Sequence, residues 1–191
     1  MHHDKWDKFY NKRGRFFLMP HEYMGKVIRR FNELNIRRII DLGCGSGRHL
    51  VYLADKGFFV DGIDFSPSAV ELARKWLNQR GLKADISVSD IHQRLGFIKD
   101  EQYDAILGIN SLHYIDIESF INTLSEINRI LRTGGLLILS VPSEKAFVKD
   151  EFTEQIYFKE KTIKTILEDK FRILDFTLDS RSNFFIIAQE K

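Results

Sequence analysis

The stretch Ile39-Ile40-Asp41-Leu42-Gly43-Cys44-Gly45-Ser46-Gly47 constrains this chain more than any other. An apolar run that ends in an acid and meets three alternating glycines reads as a strand entering a tight loop, after which Leu50, Val51 and Ala54 take helical spacing. Glycines in such a loop let the backbone approach a ligand closely, and the helix that follows aims its first amides at negative charge. The spacing is not the dinucleotide fingerprint, because counting from Gly43 the last glycine position holds Arg48. Asp41, just ahead of the glycines, opposes a phosphate and welcomes an amine. The loop therefore suits a nucleotide-like ligand that carries a cationic group.

The strand-and-helix unit recurs. Phe58 to Ile63 is apolar and ends at Asp64, and Ser66-Pro67 opens a helix with Val70, Ala73 and Leu77 on one face. Strands are expected near Ala84 to Val88 and over Tyr103 to Ile109, then a helix from about Ile117 to Leu131, ended by Gly134-Gly135, and a strand over Leu136 to Val141. Near-continuous apolar strands alternating with helices imply an α/β fold built on a parallel sheet. The tail changes rhythm: a short helix holding Ile163, Ile166 and Leu167 precedes Phe171 to Thr177 and Asn183 to Ala188, which read as a hairpin. Before the first strand, Met24, Val27, Ile28, Phe31 and Leu34 form a helical stripe behind an aromatic and basic arm, Trp6 to Phe17.

A length of 191 residues suits one domain, and 43% hydrophobic residues with 16 Phe can supply a substantial core. The expected organisation is an N-terminal arm and helix (1–36), a ligand-binding core (37–141), and a small cap, helix and hairpin (142–191). The cap includes a stretch from Ser143 to Glu160 rich in Phe and acids. With 29 basic and 27 acidic residues, net charge does not argue for nucleic acid. No apolar run approaches a membrane span, the charged start offers no signal-peptide core, and a lone cysteine, Cys44, forms no internal disulfide. These features predict a soluble, reduced, cytoplasmic protein without a membrane partner.

From about Ile39 to Val141 the chain resembles the class I S-adenosylmethionine-dependent methyltransferases. The motifs occur in order: the Ile39–Gly47 loop, Gly62-Ile63-Asp64-Phe65-Ser66, Ser89-Asp90-Ile91, Tyr103-Asp104-Ala105-Ile106, and Leu131-Arg132-Thr133-Gly134-Gly135. The resemblance implies a Rossmann-like, mostly parallel seven-stranded sheet with a terminal antiparallel hairpin and helices on both faces. It implies S-adenosylmethionine as donor, S-adenosylhomocysteine as product, and a donor site of Asp41, Gly43, Cys44, Gly45, Asp64, Phe65, Asp90, Ile91 and Asn110. Within that set Asp64 would hold the ribose hydroxyls, Asp90 and Ile91 the adenine, and Asp41 the donor's ammonium group. Gly47 would serve helix-to-strand packing, and Cys44 is a small loop residue rather than a nucleophile.

Methyl transfer by direct displacement needs alignment and exclusion of water, not a covalent nucleophile. His113, after the fourth strand, is the candidate for orienting an acceptor or removing its proton, with Tyr114 beside it. Tyr10 and His21 of the N-terminal arm are further candidates, the arm being either a lid over the donor or a core element. A small-molecule acceptor is the leading expectation. Two alternatives stand beside it. Residues 1–38 hold ten basic and four acidic side chains, so the arm could track RNA, such as a tRNA. The chain could also be a non-catalytic donor-binding partner subunit. No metal-ligand cluster is expected, with His2-His3 a solvated terminus, and oligomeric state is left open.

Overall fold

Apolar periodicity becomes seven helices and seven strands among the residues that the computed structural model describes, 3–146 and 155–191. They fall into two compact units, Met1–Arg94 and Leu95–Lys191.

The first unit begins with α1 (His3–Arg13) and α2 (Met24–Glu33) and then runs β1 (Arg38–Leu42), α3 (Arg48–Asp55), β2 (Phe59–Asp64), α4 (Pro67–Gln79), β3 (Asp85–Val88) and α5 (Ile91–Leu95). Its strands lie in the order β3-β2-β1 and all pair in parallel, with Asp41 opposite Gly62 and Asp64 opposite Val88. Parallel pairing buries both faces, and β1 is accordingly covered from Ile39 to Leu42. The stripe on α2 delivers Met24, Val27 and Phe31 to the core, where Phe31 meets Phe58 edge to face with centroids 5.6 Å apart. Each such buried side chain contributes roughly 1.5–3 kcal/mol. The arm, expected only as an aromatic and basic segment, holds a helix, α1, whose Trp6, Phe9 and Tyr10 share one face at i, i+3, i+4 spacing.

The second unit runs β4 (Tyr103–Ile109), α6 (Ile117–Ile130), β5 (Leu131–Pro142), α7 (Glu160–Glu168), β6 (Phe171–Leu178) and β7 (Asn183–Glu190). Its strand order is β4-β5-β7-β6, with β4 and β5 parallel and the β6–β7 hairpin antiparallel to β5. The chain is thus α/β, with parallel strands first and an antiparallel hairpin last. One expectation needs correction. Gly134-Gly135 does not end α6, because the helix stops at Ile130 and Leu131 is already extended. The register instead jumps between Tyr103 opposite Leu131 and Ala105 opposite Leu136, and Gly134 takes its positive φ of 71° inside that irregularity. A side chain at Gly135 would meet the carbonyl oxygens of Arg132 and Asp104 at 2.8 and 3.0 Å, so the glycine pair serves a bulge. Of the expected cap, residues 147–154 lie outside the described residues. What is described includes Phe158, fully buried against Phe120 with centroids 5.0 Å apart.

Candidate functional site

The glycine loop hangs on the end of β2: the Gly43 and Cys44 amides both donate to the Ile63 carbonyl, at 2.8 and 3.0 Å. Its last glycine, Gly47, touches α4, since a Cβ there would lie 2.8 Å from that of Ala73, so the contact it serves is loop to helix rather than the expected helix to strand. Asp64 closes β2 with only 6% of its surface exposed. Gly45 N–H donates to its Oδ2 at 2.8 Å and Ser66 N–H to its Oδ1 at 2.9 Å. Burial pushes the Asp64 carboxyl up to about 6 despite the two amide bonds, which act to lower it. Capping of α4 falls to Ser66, whose Oγ accepts from Ala69 N–H at 3.1 Å, with Pro67 as the first helical residue.

The N-terminal helix lies against this loop. Asp7 accepts from Ser66 Oγ–H at 2.6 Å and from Ser68 N–H at 2.9 Å, bonds that hold its carboxyl below the usual range. Tyr10, 8% exposed, sets its hydroxyl 2.5 Å from where a Cβ on Gly45 would sit, and Gly45 itself has a φ of +54°. Burial, and then the Asp64 charge, raise the Tyr10 phenol far above its ordinary pKa. From Tyr10 an edge-to-face chain of rings runs through Phe9 (5.6 Å) to Phe16 (5.5 Å) and Phe17 (4.9 Å), with Phe16 55% exposed. The arm is therefore core at Tyr10 and surface at Phe16.

Asp41, near the end of β1, is almost fully buried, and its Oδ2 has no hydrogen-bond partner among the described residues. The nearest cationic candidate is His49 in the first turn of α3, whose Nδ1 stands 3.7 Å away, too far for a hydrogen bond. His49 Nε2 accepts from the His21 amide at 3.3 Å, and His21 Nδ1 in turn accepts from Tyr23 N–H at 3.3 Å. Burial lowers the His49 pKa more than Asp41 raises it. His21 thus meets His49 through its backbone amide, while its ring lies against Tyr23.

Cys44 is buried, and burial followed by the charges of Asp64 and Asp41 raises its thiol pKa, which disfavours the thiolate a nucleophile requires. Its Sγ lies 3.0 Å from the position of a Cβ on Gly62, a packing contact. Phe65 is half-buried. Asp90 caps α5 through Oδ1, which accepts from His92 N–H at 2.9 Å and Gln93 N–H at 3.3 Å, and Ile91 opens that helix half-buried.

In the second unit, Asn110 follows β4 with a φ of +56°, and its Oδ1 accepts from Ser140 Oγ–H at 2.9 Å. Asparagine tolerates that left-handed region better than most non-glycine residues. His113 is 3% exposed, its carbonyl accepts from Ile156 N–H at 2.9 Å, and its ring stacks at a tilt on Tyr114, 4.2 Å between centroids. Burial outweighs a hydrogen bond to Gln155 and pushes the imidazole down to about 3, while Nδ1 has no partner among the described residues. As a proton remover His113 is mismatched, since a conjugate acid that weak releases its proton far below neutral pH. Its unpartnered Nδ1 remains able to accept a hydrogen bond.

Sequence reasoning passed over His49 and Asp7. A histidine two residues past the last loop glycine, in the first turn of a helix, was the available signal for the first. Asp7 gave none, because its partners are 59 and 61 positions away. In the basic arm, Arg30 pairs with Glu33 at 3.0 Å and Arg38 with Asp61 at 3.3 Å. Among the described residues there is no cluster of three metal-ligating side chains and no helix long and apolar enough to cross a membrane.

Comparison with known proteins bears on this geometry. Residues 39–135 match the family model of a methyltransferase domain, just over half of the chain. A ubiquinone biosynthesis O-methyltransferase of Rickettsia felis is 27% identical over 73% of this chain and 59% of its own. A 2-heptyl-1-hydroxyquinolin-4(1H)-one methyltransferase of Mycobacteroides abscessus is 29% identical over 59% of this chain and 49% of its own. The chain spans about half the length of the first curated relatives it matches. Among solved structures, a SAM-dependent methyltransferase from Methanosarcina mazei superposes with a TM-score of 0.71 at 25% identity, covering 86% of this chain and 96% of that one.

Proposed function

The chain belongs to the methyltransferase-domain family, class I and S-adenosylmethionine-dependent, and from that premise we propose that it methylates a small-molecule acceptor by direct in-line displacement. When bound, S-adenosylmethionine supplies an electrophilic methyl group on a sulfonium and leaves as S-adenosylhomocysteine. The observation that carries the reading is the Asp41 carboxylate: a buried anionic oxygen without a hydrogen-bond partner, beside a glycine loop, suits an ammonium group and repels a phosphate. Asp41 would hold the amino-acid end of the donor, Gly43, Cys44 and Gly45 would line it, and Asp64 would accept from the ribose hydroxyls. Phe65, Asp90 and Ile91 would flank the adenine, with the Asp90 carboxylate accepting from the adenine amino group.

Tyr10 would close the loop from above as part of a lid, excluding water from the sulfonium. Because Tyr10 and Asp7 already hold α1 against the Gly45–Ser68 region, donor entry requires α1 to yield. His113 would orient the acceptor through Nδ1 rather than remove its proton, which favours an acceptor whose nucleophile is available without a strong base.

The names of the two relatives support a small ring-bearing acceptor. An RNA acceptor has less support, since two arginines of the basic arm are engaged with carboxylates. The test is incubation with methyl-labelled donor and a cell extract separated into metabolite, RNA and protein fractions. Label in the metabolite fraction is the expected result. Label in RNA or protein would replace the acceptor class, and absence of label from every fraction would favour a non-catalytic donor-binding subunit.

A further inference from the structure

We propose that His49 is a positioning residue that aims the Asp41 carboxylate at the donor's ammonium group and ties that carboxylate to the N-terminal segment at His21. The proposal rests on the reading of Asp41 as the ammonium ligand and adds the residue that controls it.

The geometry assigns the imidazole's proton. His49 Nε2 accepts the His21 amide hydrogen at 3.3 Å, so in the neutral ring the proton sits on Nδ1. Nδ1 faces Asp41 Oδ2 at 3.7 Å, close enough to steer the carboxylate but too far to satisfy it. That oxygen is left without a bond among the described residues in a place that is 2% exposed. A charged imidazolium here would pair with Asp41 and compete with the incoming ammonium. Burial and the neighbouring Arg48 both act against that charge, as does the position of His49 in the first turn of α3, where the helix dipole disfavours cations. The neutral ring therefore orients the acid without neutralising it. Its other nitrogen holds the backbone of His21, directly after Pro20 in the segment that links α1 to α2. Occupation of Asp41 by the donor and placement of the N-terminal segment are thus joined through one ring.

Two substitutions divide the ring's two tasks. In His49→Gln the side-chain oxygen reaches the ε position and can still accept from His21, but nothing donates toward Asp41. In His49→Asn the amide nitrogen stands at the δ position and can still donate toward Asp41, but nothing reaches His21. Calorimetric titration with S-adenosylmethionine and with 5′-methylthioadenosine, which lacks the amino-acid end, reads the first task. Hydrogen exchange at the His21 amide in the ligand-free protein reads the second.

For His49→Gln we expect about a tenfold loss of S-adenosylmethionine affinity from the lost electrostatic orientation of Asp41, with 5′-methylthioadenosine affinity within about twofold of wild type. Exchange at His21 should stay near the wild-type rate. For His49→Asn we expect donor affinity within about threefold of wild type and exchange at His21 at least about tenfold faster. Circular dichroism confirms that each variant is folded, and if one is not, the other still tests its own half. Equal losses for both nucleosides, or the same exchange behaviour in both variants, would overturn the proposal in favour of a packing role. Wild-type protein that binds 5′-methylthioadenosine no more weakly than S-adenosylmethionine would instead overturn the underlying Asp41 reading.

Discussion

Among the buried side-chain atoms without hydrogen-bond partners within the described residues, Asp41 Oδ2 in the first unit and His113 Nδ1 in the second make the sharpest contrast. Both sit near the carboxyl end of a parallel strand, where ligands gather in α/β folds. They invite different company. A carboxylate oxygen beside a neutral imidazole attracts a cation, whereas an imidazole whose pKa burial pushes down to about 3 offers only a lone pair to a hydroxyl or amine. Asp64 sharpens the contrast: the same burial that silences His113 raises this carboxyl to about 6, within reach of neutral pH. The first unit carries responsive charge, and the second carries a neutral acceptor. Under the proposed function, the positive amine and sulfonium of a donor suit the charge carried by the first.

Removing the charge of the first unit should have the largest effect. If Asp64 holds the ribose as proposed, Asp64→Ala would delete two hydrogen bonds to a charged group, worth roughly 1.5–3 kcal/mol each, and calorimetry should show donor affinity falling about a hundredfold or more. Next comes Gly45→Ala, where a Cβ would lie 2.5 Å from the Tyr10 hydroxyl at a φ of +54°. The backbone strain alone costs about 1–2 kcal/mol, and denaturant unfolding should show a loss of at least that size, partly recovered in the double variant with Tyr10→Ala.

The pH dependence follows with a definite sign. With Asp64 as the proposed ribose ligand, donor binding uses its carboxylate, so affinity should be level above pH 6 and fall by up to about tenfold per unit below it. Stability of the donor-free protein runs the other way for this group, because its folded pKa is raised above its unfolded value. The group's contribution is full below pH 4 and is lost as the pH rises through about 6. A donor affinity unchanged between pH 5 and 7 would contradict the assignment. Smaller still is Asp7→Ala, which removes the tie between α1 and α4 and should cost about 1 kcal/mol while speeding amide exchange in α1. Smallest is His113→Asn, expected to lower kcat less than about tenfold with no shift in the pH–rate profile; loss of the acidic limb from that profile would restore His113 as a base.

The first unit was the more legible in sequence because its signals are local. Gly43 to Gly47 and Asp64-Phe65-Ser66-Pro67 each announce a strand end, a loop and a helix start within a few residues, and the strands and cap stand where these motifs put them. What escaped depends on contacts between distant positions. Asp7 finds Ser66 and Ser68 only once α1 has docked, and His49 finds the His21 amide 28 positions away. Gly134-Gly135 misled because a glycine pair after a helix reads as its stop, while the register of β5 against β4 uses it for a bulge. His113 was legible as a candidate but not in its role, since periodicity does not report how completely an imidazole will be desolvated.

The most direct test of the account is calorimetric titration of the wild-type chain with S-adenosylmethionine, S-adenosylhomocysteine and NAD in parallel. The account predicts one-site binding of both adenosyl amino acids and none of NAD, with the affinity lost in Asp64→Ala. Binding of NAD in their place, or binding of the donor that survives Asp64→Ala unchanged, would contradict it.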